Sequence, residues 1–288
     1  MMVNAQITFR AVPRGSASRS AAAVAVIGVA LTLVLAARLY ALQSVGKSAA
    51  AIAMASDMNM RDLRTFWSFP ILQSSGMIGL LFAYVGALLG LWQTNLRTGW
   101  TTLKLQIERL HRHVGLLVVG LVLVHILATV LDAMGDSWRT VLIPGTWAKQ
   151  GWPQAVTGYN TGILAAYLLM LVAPSFYLRN LLGGNRWLLL HRLVLVVYLL
   201  SIWHAMVLGL DLAYYAWLRP LIWLAQIPLL TLLMKRLYGP IVTRPMKTGS
   251  LAVLVRIANV GLFLLSAATS AGLFFLVVTG RAGFIPTV

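Results

Sequence analysis

The sequence contains no cysteine and very few acidic residues. Its 288 residues include 6 Asp and Glu against 23 Lys and Arg, and charged residues make up only 10% of the chain. Soluble domains typically carry about 25% charged residues. The lack of cysteine excludes a covalently attached c-type haem, a thiolate-held iron–sulfur cluster, a disulfide and a catalytic thiol. A metal would therefore have to be bound by His, Met, carboxylate or backbone groups.

Long apolar stretches dominate the remaining composition, since 60% of the residues are hydrophobic. A helix needs roughly 20 apolar residues to cross a membrane. The sequence predicts an all-α, polytopic transmembrane bundle with about seven spans, of which six form the core. We expect the first span to be an uncleaved anchor, because no clean cleavage motif follows it. The predicted spans are residues 21–42, 70–92, 111–131, 161–178, 187–210, 214–234 and 251–279.

The net charge of +17 is best explained by basic loops that face anionic lipid headgroups, so we expect no nucleic-acid partner. The bias of Lys and Arg among the loops predicts a cytoplasmic N-terminus and an outside C-terminus in a bacterial plasma membrane. The predicted organisation is a cytoplasmic tail (1–20), a first span with an outer loop (21–69), a cofactor-binding core (70–237), and a basic loop with an additional span (238–288).

Four of the five histidines form a regular pattern. His111 and His125 are 14 residues apart on the third span, and His191 and His204 are 13 apart on the fifth. Two crossings separate these spans, so they run in the same direction, and His111 pairs with His191 while His125 pairs with His204. At 1.5 Å per residue the two levels lie about 20 Å apart. Because imidazole is a common axial ligand of haem iron, the pattern predicts two stacked b-type haems.

The two spacings differ in helical phase. Fourteen residues turn a helix by about 1400°, close to four full turns, whereas thirteen turn it by about 1300°. The fifth span must therefore bend, bulge or present its two histidines at different azimuths. Arg112 and Arg192 follow His111 and His191 directly, where they either pair with haem propionates or act as positive-inside anchors. His113 remains unassigned.

Two acids follow the outer histidines at the same interval. Asp132 is seven residues after His125, and Asp211 is seven after His204, which is about two helical turns. They form a possible acceptor site for a cation such as ferric iron or for the basic patch of a partner. The alternative is that they only cap the outer ends of the spans.

The chain resembles the ferric reductase-like transmembrane domain family, which includes NADPH oxidases and the haem subunit of bacterial methionine sulfoxide reductase systems. The resemblance covers roughly residues 75–237. It rests on the two histidine pairs, Gly76, Gly86 and Gly90, Leu110-His111-Arg112-His113-Val114-Gly115, Gly162, and Trp187-Leu188-Leu189-Leu190-His191-Arg192. It implies that electrons pass from a cytosolic donor to an inner haem, then to an outer haem, and then to an outer acceptor.

The sequence departs from many family members after the sixth predicted span. A short basic loop and another apolar span follow, and no GxGxxG motif is present, so we expect the electrons to come from a separate flavoprotein. We predict an electron-transfer component with no catalytic residues of its own, and other membrane subunits are possible partners. The main alternative is a quinone-linked cytochrome b subunit. A third is a metal or proton transporter, or an assembly factor, without haem.

Overall fold

The computed structural model describes residues 14–45, 67–95, 101–131, 137–145, 153–209, 211–212, 215–243 and 250–281. These residues form helices and contain no β-strand. The helices are α1 (Arg14–Ser44), α2 (Ser68–Asn95), α3 (Thr101–Val130), α4 (Trp138–Leu142), α5 (Pro153–Ser175), α6 (Arg179–Leu182), α7 (Gly184–His191), α8 (Leu193–Leu208), α9 (Leu218–Leu224), α10 (Gln226–Thr243) and α11 (Ser250–Val278).

Within the described residues, 7 helical segments are long and apolar enough to cross a membrane. They are Arg19–Ser44, Ser68–Asn95, Thr102–Val130, Val156–Ser175, Arg186–Leu208, Leu218–Leu237 and Val253–Val278, which we number as the first to seventh spans. The predicted all-α transmembrane bundle is therefore confirmed. One boundary was wrong, because the third helix begins at Thr101 and places His111 well inside it.

Prolines and tight turns explain why some spans consist of two helices. The sixth span divides at Ala225, between α9 and α10. Pro228 follows three residues later; it lacks an N–H, and its ring would clash with the carbonyl of Leu224 in a continuous helix. The fifth span divides at Arg192, between α7 and α8. This second break lies directly beside His191.

The bundle is built around α2. This helix packs against α3, and it also contacts α1, α8 and α10, while α5 packs against α8. The main buried cluster joins α2, α8, α10 and α11, and Met206 and Leu273 are fully buried there. Many outward side chains are apolar and exposed, such as Val34 at 69% and Leu264 at 60%. Apolar surface of this extent is what a lipid-facing exterior requires.

Candidate functional site: two histidine pairs

The structure brings the four histidines together as two facing pairs. The ring centroids of His111 and His191 are 5.8 Å apart, and the ring planes make an angle of 89°. The centroids of His125 and His204 are 6.2 Å apart at 87°. The third and fifth spans therefore run in the same direction. Along α3 the two levels are separated by 14 residues, or about 21 Å.

Backbone carbonyl groups orient three of the four imidazole rings. Nδ1 of His111 lies 2.9 Å from the carbonyl oxygen of Gly86. Nδ1 of His125 lies 2.8 Å from that of Leu72, on the same helix as Gly86. Because a carbonyl oxygen only accepts, each Nδ1 donates its hydrogen and leaves the Nε2 lone pair free. A ring held in this tautomer is prepared to bind a metal through Nε2.

The same arrangement recurs on the other side of the bundle. Nδ1 of His204 donates to the carbonyl oxygen of Gly158 on α5 at 2.9 Å. His191 is instead stacked on Trp187, one turn earlier in α7, with ring centroids 5.0 Å apart and planes 21° apart. Three rings are therefore held by Nδ1 bonds that leave Nε2 available, and the fourth is held by a ring stack.

Glycines let the neighbouring helices approach these rings. A Cβ atom on Gly76 would lie 3.0 Å from the His125 ring, and one on Gly90 would lie 3.1 Å from the His111 ring. On α5, a Cβ atom on Gly162 would lie only 2.4 Å from Nδ1 of His204. Real Cβ atoms essentially never make contacts below 3.0 Å. Each of these glycines thus allows the helix beside it to support a histidine.

The geometry of the pairs fits haem iron. An imidazole nitrogen binds a transition metal at about 2.0–2.1 Å, so a metal held between two facing rings separates their centroids by roughly 6 Å. Both observed separations agree with this value. A six-coordinate haem iron has two ligands from the protein, because the macrocycle supplies the other four, and each pair provides two histidines. Among the described residues, no group of three or more His, Cys, Asp and Glu side chains is placed to hold a metal ion.

The break at Arg192 accounts for much of the phase difference between the two spacings. The N–H of Arg192 donates to Leu189 O at 3.2 Å, and the N–H of Leu195 donates to Arg192 O at 3.0 Å. Both bonds span three residues, as in a 3₁₀ turn. Three or four residues at this tighter pitch add about 60–80° of rotation, roughly half of the missing 140°. The fifth span therefore tightens and divides between its two histidines.

Basic side chains gather at the level of His111 and His191. The guanidinium of Arg112 lies 5.4 Å from the centroid of the Phe176 ring, which also packs against Trp187. Within the part of the chain that the structure describes, the Nε and Nη1 atoms of Arg192 are buried without a hydrogen-bond partner. An orphaned guanidinium beside a candidate haem ligand fits an anionic group of the cofactor. Nε2 of His113 is also buried without a partner, and His113 belongs to neither pair.

An acid and an amide occupy the opposite end of the bundle. Asp211 is buried, and its Oδ2 accepts a hydrogen bond from Nε2 of Gln73 at 3.2 Å. Gln73 directly follows Leu72, whose carbonyl orients His125, so Asp211 is linked to that histidine through the backbone of α2. Burial raises the pKa of the Asp211 carboxyl. Asp132, the other predicted acceptor residue, lies outside the described residues.

A polar cluster lies between the two histidine levels. The Tyr198 hydroxyl donates to Oε1 of Gln226 at 3.2 Å, and Nε2 of Gln226 lies 3.0 Å from the same hydroxyl. The Tyr84 ring lies 6.1 Å from the Tyr198 ring, centroid to centroid. Gln226 begins α10, so this cluster connects the sixth span to the helices that carry the pairs.

Sequence reasoning missed the groups that support the histidines. The carbonyls of Leu72, Gly86 and Gly158 leave no mark in a sequence, because any residue has a carbonyl. Gly76 and Gly90 contribute to the family resemblance, but their contact with the histidines was not predicted. Their spacing of 14 residues equals that of His111 and His125. That matching interval was a usable signal for a helix packed along the third span.

Comparison with known families agrees with this geometry. Residues 75–202 match the family model described as the ferric reductase like transmembrane component. No curated protein and no solved structure matches the chain significantly. The matched residues run from within the second span to within the fifth and include His111, His125 and His191, while His204 lies two residues beyond the match. Residues 75–202 of this chain are therefore similar to the ferric reductase-like transmembrane component.

Proposed function

We propose that this protein is a di-haem b-type cytochrome that carries electrons from one face of the membrane to the other. The observation that carries the proposal is the pair of facing histidines at each of two levels on parallel spans. Each pair has the ring separation that a bound iron requires, and three of the rings donate from Nδ1 to a backbone carbonyl. His111 with His191, and His125 with His204, would be the axial ligands.

The chain's own residues determine what chemistry the site performs. Haem supplies a one-electron carrier when it is bound. Because both histidines of a pair would hold the group, the chain would leave no place for an external ligand, which favours outer-sphere transfer over ligand activation. The apolar helices around the pairs exclude water, and the carbonyl-bound rings stay fixed during a change of oxidation state. Such rigidity lowers the reorganisation that accompanies transfer.

The direction of transfer follows from the basic residues. The level of His111 and His191 lies beside Arg112 and Arg192, on the side that the positive-inside bias assigns to the cytoplasm. We propose that electrons enter there from a separate cytosolic flavoprotein. The support is that the sixth span is followed by a seventh apolar span (Val253–Val278), where many members of the resembling family carry a flavin domain. They would leave beyond His125 and His204 to ferric iron or a partner redox protein.

One observation favours exchange with a quinone as a second candidate function. A groove of about 500 Å³ lies between the fifth and seventh spans, beside the level of His111 and His191. Leu189, Leu190, Leu193, Ala258, Gly261 and Leu262 line it together with Arg186 and Arg192. An apolar groove of this size, open towards lipid, suits an isoprenoid tail. In this role the protein would accept electrons from a quinol rather than from a flavoprotein.

Vesicles test transfer across the membrane. We would trap ferricyanide inside vesicles that contain the protein and add a reduced flavin outside. The proposal predicts reduction of the trapped ferricyanide by the wild-type protein, and little reduction in empty vesicles or with His204→Ala. His113→Ala is the matched control, since it removes a histidine that belongs to neither pair. Equal rates for wild type, His204→Ala and empty vesicles would contradict the proposal. Reduction by a quinol but not by a flavin would favour the second candidate.

A further inference from the structure

Arg192 has two buried guanidinium nitrogens without a partner among the described residues. These are Nε and Nη1, which are inaccessible to solvent. The residue lies at the break between α7 and α8, directly after His191. Nitrogen atoms of a guanidinium that are removed from water without a hydrogen-bond partner are unfavourable. An anion bound at this point would offset the lost hydration of these nitrogen atoms.

A second arginine approaches the same place from the sixth span. Arg236 of α10 is half-buried, and it lies within electrostatic range of both Arg192 and His191. One turn earlier, the carbonyl of Leu232 accepts a hydrogen bond from Nδ2 of Asn95 at 3.4 Å. Asn95 follows Gly90, the glycine against the His111 ring, by five residues. These contacts fix α10 at the level of His111 and His191.

The acids of the described residues do not neutralise this pair of arginines. Glu108 lies one turn before His111 on the third span and interacts electrostatically with that histidine. The guanidinium of Arg112 lies over the Phe176 ring, 5.4 Å from its centroid. Two like charges beside each other in an apolar bundle are stable only with a counter-ion. The planar forks of two arginines match a carboxylate or a phosphate better than any neutral ligand.

We propose that Arg192 and Arg236 form one oxyanion site, and that it binds the propionate carboxylates of the haem held by His111 and His191. This inference rests on the proposed function and adds to it a residue from the sixth span, outside the matched family region. It also assigns the sixth span a role, since α10 brings Arg236 to the cofactor. A phosphate of a lipid headgroup has the same oxyanion chemistry and reaches this place through the neighbouring groove.

The site has a consequence for the redox equilibrium of one haem. A fixed positive charge near the iron favours the reduced state, because the reduced centre carries one positive charge less. Removing that charge with Arg236→Gln therefore lowers the midpoint potential of the haem at His111 and His191. The level of His125 and His204 lies about 21 Å away along the helix, so a haem bound there would be affected much less.

The experiment compares Arg236→Gln, Arg236→Lys and Arg192→Gln with the wild-type protein in nanodiscs. Lys235→Gln is the matched control, because it removes the same charge from an exposed neighbouring side chain. We would count haem per chain, titrate both potentials, and record the propionate bending modes by resonance Raman spectroscopy. Arg236→Gln should lower the reduction equilibrium constant of one haem about tenfold, or about 59 mV for one electron. Arg236→Lys should keep most of the potential but shift the propionate band, because an ammonium cannot form the bidentate fork.

Three results would overturn the inference. Unchanged potentials and propionate bands in Arg236→Gln and Arg192→Gln, with both haems bound, would remove these residues from the cofactor site while leaving the proposed function intact. A potential shift that occurs in nanodiscs of anionic lipid but is absent in those of neutral lipid would assign the oxyanion to a headgroup. Wild-type protein without haem would end the inference together with the proposed function. If Arg236→Gln does not fold, the propionate band of Arg236→Lys still tests the role of this residue.

Discussion

Gly162 is a position where the structure leaves no room for a side chain beside a candidate ligand. A methyl group at residue 162 would lie 2.4 Å from Nδ1 and 2.7 Å from Cε1 of His204. An ordinary contact begins at 3.4 Å, so Gly162→Ala requires a movement of 1.0 Å (3.4 − 2.4). The His204 ring cannot make this movement freely, because its Nδ1 donates to Gly158 O at 2.9 Å.

Two opposing terms decide the outcome of Gly162→Ala. Alanine stabilises a helix interior by about 1 kcal/mol relative to glycine. Overpacking of a well-packed site costs typically about 1–3 kcal/mol. We therefore expect a net loss of about 0–2 kcal/mol in the free energy of unfolding. The larger effect falls on cofactor binding, because a displaced His204 no longer faces His125. Haem content should drop from two towards one per chain.

Two other glycines provide graded controls for this prediction. A Cβ atom on Gly79 would meet Leu121 at an ordinary 3.6 Å, and one on Gly120 would meet nothing within 4 Å. Gly79→Ala and Gly120→Ala should keep both haems and melt at the wild-type temperature or above it. Haem content by pyridine haemochromogen and melting temperature in detergent are the measurements. The reasoning is refuted if Gly162→Ala binds as much haem as Gly79→Ala and melts no lower.

Three further predictions concern the histidines and the buried polar groups. His125→Ala should leave one low-spin haem per chain, since the pair at His111 and His191 does not depend on it; complete loss of haem, measured spectroscopically, would argue against two independent levels. Gln226→Leu should lower the free energy of unfolding by about 1–3 kcal/mol, because the buried Tyr198 hydroxyl loses its partner. Gln226→Leu combined with Tyr198→Phe should be less harmful than the first change alone in thermal melts. The pKa of Asp211 is raised by burial, so the folded state binds the proton more tightly than the unfolded state. Its unfavourable contribution is absent below its ordinary pKa of 3.8, grows as pH rises from there towards the raised folded pKa, and is constant above it. Asp211→Asn should therefore flatten the decline of melting temperature with rising pH, and an unchanged profile would contradict this assignment.

The spans were predictable because hydropathy is a property of consecutive residues. Six of the seven predicted segments begin within about five residues of the observed spans, since lipid selects long uncharged helices directly. The third began too late, because residues 101–110 contain charged side chains and continue the helix beyond the apolar stretch. Ile107 is buried on one face of this turn. Helices that extend past the hydrocarbon are not marked by hydropathy.

The pairing of the histidines was predictable from topology alone. Two crossings make the third and fifth spans parallel, and the nearly equal spacings then place His111 beside His191 and His125 beside His204. Haem ligation itself, and the roles of Arg112, Asp132 and Asp211, stay predictions. The reach of Asp211 towards a cation is limited, since the carboxylate is buried and bonded to Gln73.

Tertiary contacts between distant spans were not predictable from the sequence. Arg236 reads as one more basic residue of a cytoplasmic loop until α10 brings it to His191. The break at Arg192 also has no proline or glycine to mark it. Its position is set by the need to keep two histidines 13 residues apart on one face, which is a property of the bundle rather than of the local sequence.

The central claim is that each histidine pair binds one b-type haem. The most direct measurement is the visible spectrum of the purified protein, oxidised and dithionite-reduced, with haem counted per chain. The account predicts a low-spin b-type spectrum and about two haems per chain. Protein produced in cells well supplied with haem that contains none would contradict the account and favour a transporter or an assembly factor.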